Sequence, residues 1–172
     1  NMARRYLSTF KRYEKKYLLK PEQYTILNEL ILGKLSVDKY GQSTICNIYF
    51  DTPNHQLIRE SLEKPAYKEK LRLRSYGVPS EGDPVFIELK KKYKGIVYKR
   101  RESLDLLRAE LYLYDNNHDN HHIKENSQVM KEINWFLQFY DEIIPSMYIA
   151  YDRIALYGVD DSELRVTFDS NI

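Results

Sequence analysis

Residues 64–76 read Lys-Pro-Ala-Tyr-Lys-Glu-Lys-Leu-Arg-Leu-Arg-Ser-Tyr, and their charges recur at every second position. In an extended strand this spacing sets Lys68, Lys70, Arg72, Arg74 and Tyr76 on one face and Glu69, Leu71, Leu73 and Ser75 on the other. Like charges about 7 Å apart along a strand repel one another unless an anion lies among them. An edge strand guarded against aggregation needs one or two lysines, not two lysines and two arginines on the same face. The chemistry open to such a face is the binding of a polyanion. Guanidinium forks take phosphate oxygens in pairs and stay charged in a crowded cationic site, and lysines add point charges that can follow charge developing in phosphoryl transfer.

The alternation recurs along the chain. Glu14 and Lys16 share a face, as do Glu88, Lys90 and Lys92 opposite Val85, Ile87 and Leu89, and as do Lys99 and Arg101. Arg153 and Arg165 lie in two later strand-like segments. Each charge by itself reads as a solvated surface group. Their recurrence from strand to strand argues instead for the lining of a common interior. No P-loop sequence occurs, so side chains would have to cradle phosphates where such a loop uses backbone amides.

These positions need elements to hold them. Strands are expected at 10–19, 44–51, 67–76, 84–92, 96–102, 147–157 and 163–170. Helices are expected at 21–34, opened by Pro21, at 55–62, at 103–114 and at 125–141. Hairpins join neighbouring strands, so the expected class is α+β, an antiparallel closed barrel with helices packed outside, in a single domain over 1–172. A barrel interior is filled or holds a ligand, and charged inward faces favour a ligand.

Composition narrows the ligand. Residues 64–101 hold twelve Lys or Arg against four Asp or Glu, whereas 102–142 hold three against nine. One focused basic site on an acidic body suits a small, highly charged ligand better than nucleic acid, whose binders spread their charge. Cys46 is the one cysteine, reads as a small buried hydrophobe, and fits a reducing, cytoplasmic setting. No apolar run approaches the roughly 20 residues that span a bilayer, although a membrane partner stays open. Asp115–His122 reads as a solvated loop rather than a metal tract, and Trp135, Phe136, Phe139 and Tyr140 read as core.

Several motifs occur in order: Glu14-Lys15-Lys16-Tyr17, Tyr49-Phe50-Asp51-Thr52, Leu71-Arg72-Leu73-Arg74, Phe86-Ile87-Glu88-Leu89-Lys90, Lys99-Arg100-Arg101, Tyr151-Asp152-Arg153 and Leu164-Arg165-Val166. Together they resemble the VTC domain, the polyphosphate polymerase domain of the triphosphate tunnel metalloenzyme superfamily. The resemblance implies a basic antiparallel tunnel that binds ATP and inorganic polyphosphate with Mn²⁺ or Mg²⁺. Its expected reaction moves the γ-phosphoryl group of ATP onto the chain end. By position, Lys16, Arg72, Arg74, Lys90, Lys99, Arg153 and Arg165 would line the phosphate path, with Lys70, Tyr49, Tyr76 and Arg101 beside them. Glu88 and Glu14 would be metal ligands, although each also reads as a counter-charge to neighbouring cations. The hydrolase branch opens with Glu-x-Glu-x-Lys, and here that stretch has one acidic residue, Glu14, which favours the polymerase branch. The family continues with a metal-binding glutamate strand, so this chain is expected to lack the C-terminal strands of its domain. The alternatives are a triphosphate or nucleoside-triphosphate hydrolase in the same tunnel, and a non-catalytic module binding polyphosphate or RNA.

Overall fold

The computed structural model describes residues 14–114, 127–140, 142–161 and 163–172. Its elements are α1 (Pro21–Ile31), β1 (Leu35–Asp51), α2 (Gln56–Leu62), β2 (Tyr67–Tyr76), β3 (Pro84–Tyr93), β4 (Ile96–Asp105), α3 (Leu106–Tyr114), α4 (Gln128–Phe139), β5 (Ile144–Gly158) and β6 (Arg165–Ser170). The fold is α+β, built on an antiparallel sheet: β2–β3, β3–β4 and β5–β6 are antiparallel ladders. The described residues form two compact units, one over 46–149 and one combining 14–45 with 150–172. Strand order is β4-β3-β2-β1-β5 in the first and β1-β5-β6 in the second.

The first unit has a core on one face of its sheet. Leu71, Leu73, Val85, Ile87 and Leu89 are buried against Ala109, Tyr112 and Leu113 of α3 and Val129, Met130, Ile133, Phe136 and Leu137 of α4. These sheet residues are the partners, in period two, of the cationic positions. Burial of one set therefore forces the other onto the opposite face. The helices are sited by caps. Ser127 Oγ accepts the Met130 amide at 3.1 Å and starts α4, and Asp105 Oδ1 accepts the Arg108 amide at 2.9 Å in the first turn of α3. Asp51, at the end of β1, is buried and accepts the Leu57 amide at 2.8 Å and the Ile58 amide at 3.0 Å, so it anchors α2 to the strand before it. In the second unit, Tyr24 of α1 meets Phe168 of β6 edge to face at 4.9 Å.

Four expectations are corrected. Residues 14–19 of the expected first strand form no strand, and 10–13 lie outside the described residues. Lys20 does have extended geometry (φ −77°, ψ 157°), as the residue before a proline must. The adjacent Leu18 and Leu19 break the two-residue alternation, and Leu18 is 99% exposed. Six strands are described, not seven. β1 begins nine residues before the expected start, because a strand with both faces partly wet needs no apolar alternation to hold its ladder. β4 runs to Asp105, since Ser103, Leu104 and Asp105 pair with Phe86, Val85 and Pro84, and this delays α3 to Leu106. Among the aromatics of α4, Phe136 and Tyr140 are buried, but Trp135 (52% exposed) and Phe139 (60%) stack on each other outside the core. Asp115–His122 lies outside the described residues.

Removing the Asp51 carboxylate leaves buried amides of α2 without their acceptor. Asp51→Ala is expected to lower stability by about 2 kcal/mol, read as a shifted urea midpoint with the slope unchanged.

Candidate functional site

The register of the first unit assembles the cationic face row by row. Arg72 lies opposite Glu88, which lies opposite Arg101. Two residues along, Lys70, Lys90 and Lys99 stand in one row across β2, β3 and β4. Three ammonium side chains directly opposite one another are destabilising in an isolated sheet.

Glu88 is the anion at the centre. It is 1% exposed, and four cations converge on its carboxylate. Oε2 accepts from Arg72 Nε at 2.7 Å and Nη2 at 2.6 Å, with Arg74 Nε at 3.7 Å. Oε1 accepts from Lys99 Nζ at 2.9 Å and Arg101 Nε at 2.7 Å, and Arg101 Nη2 also closes on it. Each guanidinium has a second support. Arg72 Nη1 donates to the Tyr49 hydroxyl at 2.9 Å, Arg74 Nε to Asn47 Oδ1 at 2.9 Å, and Arg101 Nη2 to the Tyr76 hydroxyl at 3.4 Å while its plane lies 4.4 Å from the Phe86 ring. Asn47 is itself fixed by donating to the Ile149 carbonyl at 3.1 Å.

Burial would raise the pKa of Glu88, but Arg72, Arg74, Lys99 and Arg101 outweigh it and hold the carboxyl well below the usual carboxylate range. Lys99 shows the opposite balance. Its burial lowers its pKa, with repulsion from Arg101 and Arg74 adding to it, and attraction to Glu88 recovers only part, leaving it at about 8. The arginines stay charged throughout.

The other face sorts its charges separately. Lys91 and Arg100 pair with Glu132 of α4 at 3.2 and 3.1 Å. The buried carboxylate of Glu69 accepts from the hydroxyls of Tyr67 and Tyr140 at 2.7 and 3.0 Å.

The expected site residues divide between the units. Arg72, Arg74, Lys90, Lys99, Lys70, Tyr49, Tyr76, Arg101 and Glu88 lie together in the first. Lys16, Glu14, Arg153 and Arg165 belong to the second. There Lys16 and Glu14 are exposed on non-helical, non-strand backbone before α1. Arg153 makes a two-pronged pair with Asp169 at 2.6 and 2.7 Å, and Arg165 lies 5.6 Å from the Tyr157 ring. Sequence reasoning missed Asn47, which holds Arg74, and Phe86, which carries Arg101. Asn47 was findable as the one amide inside Ile45-Cys46-Asn47-Ile48-Tyr49.

Glu88 does not fit the donor set of a divalent cation. Both its oxygens are occupied by cationic side chains, and a metal ion there would face four positive neighbours. Among the described residues no group of three or more acidic, histidine or cysteine side chains is placed to hold a metal. The counter-charge reading of Glu88 is the one that its contacts satisfy.

The family model of the VTC domain matches residues 11–172. No curated protein matches the chain significantly. Among solved structures, a candidate adenylate cyclase from Bacillus halodurans aligns with a TM-score of 0.52 and 14% identity, over 96% of this chain and 80% of its own. A candidate adenylyl cyclase from Hippeastrum, described as having a dominant triphosphatase activity, aligns with a TM-score of 0.57 and 16% identity, over 88% of this chain and 68% of its own. At these identities the likeness is one of fold.

Glu88→Gln keeps the side-chain shape but strips the charge from a buried cluster, and is expected to cost roughly 3–5 kcal/mol in urea unfolding. Carbon NMR of Lys99 is expected to give a titration midpoint near 8 rather than the ordinary 10.5. Because Glu88 pulls that midpoint up, Glu88→Gln should move it lower still; an unchanged midpoint would mean that the two groups are not coupled.

Proposed function

This chain belongs to the VTC domain family, and from that premise we propose that it is a polyphosphate polymerase-type phosphotransferase. The observation that carries the reading is the convergence of Arg72, Arg74, Lys99 and Arg101 on one buried carboxylate, beside the Lys70–Lys90–Lys99 row. Such a face offers forked donors to the fixed oxygens of a triphosphate and point charges to the phosphates that follow.

In the proposed reaction an oxygen of the terminal phosphate of the chain forms a bond to the γ-phosphorus of ATP, the bond from that phosphorus to the β–γ bridging oxygen breaks, and ADP leaves with the electron pair. The attacking oxygen is already ionised, so no general base is required of the protein. Its contribution is to align donor and acceptor and to neutralise charge on the transferring group. Arg72 and Arg101 are held in place by Glu88 before any substrate arrives, so little reorganisation is needed when the phosphates bind. A divalent ion, Mg²⁺ or Mn²⁺, belongs to this reading as an ion carried by the nucleotide phosphates, which keeps most of its ligands as water and phosphate oxygen. Lys16, Arg153 and Arg165 are proposed as further members of the phosphate path by their positions in the family motifs. The single buried cysteine supports a reducing, cytoplasmic setting. Among the described residues no helix is long and apolar enough to cross a membrane.

A second reading is favoured by the Hippeastrum neighbour, described as a dominant triphosphatase. In it the same face binds tripolyphosphate or a nucleoside triphosphate, and water takes the place of the chain end.

Incubation with ATP and Mn²⁺, followed by length analysis of the products, separates the two. Acid-stable polymer with ADP is expected; orthophosphate without polymer would replace the first reading with the second. Arg72→Lys keeps the charge but loses the fork, and should weaken tripolyphosphate binding about tenfold by calorimetry.

A further inference from the structure

The two arginines of β2 are held in different ways. Arg72 is gripped by Glu88, with Nε at 2.7 Å and Nη2 at 2.6 Å from Oε2. Arg74 is buried, yet its Nε stands 3.7 Å from that oxygen, beyond hydrogen-bond reach. The same Nε donates to Asn47 Oδ1 at 2.9 Å. Asn47, not Glu88, therefore sets the direction of that N–H, and with it the plane of the guanidinium.

Asn47 is itself 1% exposed, and its amide can take only one orientation. Arg74 Nε can only donate and the Ile149 carbonyl can only accept, so Oδ1 must face the first and Nδ2, at 3.1 Å, the second. One side chain thus fastens the guanidinium to the main chain of β5. Strand alternation puts Tyr49 on the same face of β1, where its hydroxyl accepts from Arg72 Nη1 at 2.9 Å. β1 meets each arginine with an acceptor that carries no charge.

That neutrality is the chemical point. An aspartate has the shape of asparagine and would grip Arg74 harder, as Asp169 grips Arg153 at 2.6 and 2.7 Å. It would also cancel positive charge that an incoming phosphate is to meet, and would turn an oxygen with no proton toward the Ile149 carbonyl. The carboxamide fixes direction and leaves the charge in place.

We infer that Asn47 is a positioning residue for anion binding, one that aims the Arg74 guanidinium without neutralising it and touches no phosphate itself. This rests on the reading of the arginine row as a phosphate site. Its effect on affinity passes through Arg74 alone, whereas its bond to the Ile149 carbonyl serves the fold whether or not Arg74 is present.

Calorimetry with inorganic tripolyphosphate, read beside urea unfolding, tests this on Asn47→Ala, Arg74→Met and the double variant. Asn47→Ala should weaken tripolyphosphate about tenfold, the worth of one hydrogen bond to a charged group. In the Arg74→Met background the same change should weaken it by less than about twofold, because the two residues act as one unit. The urea midpoint should fall in both backgrounds, so that stability and affinity separate. Asn47→Asp keeps the side-chain shape and tests the charge even where Asn47→Ala fails to fold. It should bind tripolyphosphate more weakly than the wild type and with a shallower dependence on salt. No loss of affinity in Asn47→Ala, equal losses in the two backgrounds, or wild-type affinity in Asn47→Asp would overturn the positioning role alone. Failure of the wild type to bind tripolyphosphate would overturn the phosphate-site reading beneath it.

Discussion

A carboxylate with almost no exposure is stable only where positive charge replaces the water that it has lost, and at Glu88 that charge comes from four side chains on β2 and β4, the strands either side of its own. The constraint works in both directions. Arg72, Arg74, Lys99 and Arg101 would repel one another at this spacing, and the central anion lets them share one face. Buried ion clusters are weak contributors to net stability, because desolvation takes back most of what attraction supplies. What this one yields is position: three guanidinium planes are held by a shared partner and by Tyr49, Asn47, Tyr76 and Phe86.

The rest of the first unit serves that arrangement. Strand geometry separates the two faces, and the apolar set beneath α3 and α4 fixes which face the cations must take. A slip of one residue between β2 and β3 would bury Arg72 and expose Leu71, so the core and the site specify the same register. Charges that fall on the helix side meet their own counter-ion, with Lys91 and Arg100 both drawn to Glu132.

Much of this was legible in the residues. The two-residue alternation at 67–76 and 84–92 named both faces correctly, because a half-buried strand states its orientation in its own sequence. The segment at 14–19 misled for the complementary reason: alternation signals extended backbone, and a ladder also needs a neighbour that no single segment can name. The polar start of β1 was silent because a strand wet on both faces leaves no apolar period. In sequence Glu88 reads as a ligand or a counter-charge, and composition does not choose between them; the choice depends on cross-strand register, which brings Arg72 and Arg101 to either side of it. Asn47 acts through an amide whose two ends meet residues 27 and 102 positions away. Such long-range pairing leaves little trace in local sequence.

The row of Lys70, Lys90 and Lys99 has a consequence for the energetics of the whole sheet. Under the proposed phosphate-binding reading, an anion that settled over this row would add to the attraction that Glu88 already gives Lys99, so occupancy of the face and cohesion of the sheet would be linked quantities. A ligand at 100 times its dissociation constant adds about 2.7 kcal/mol to a fold that binds it only when native. On the proposed reading, the supply of its anion would thus be registered as the domain's own resistance to melting.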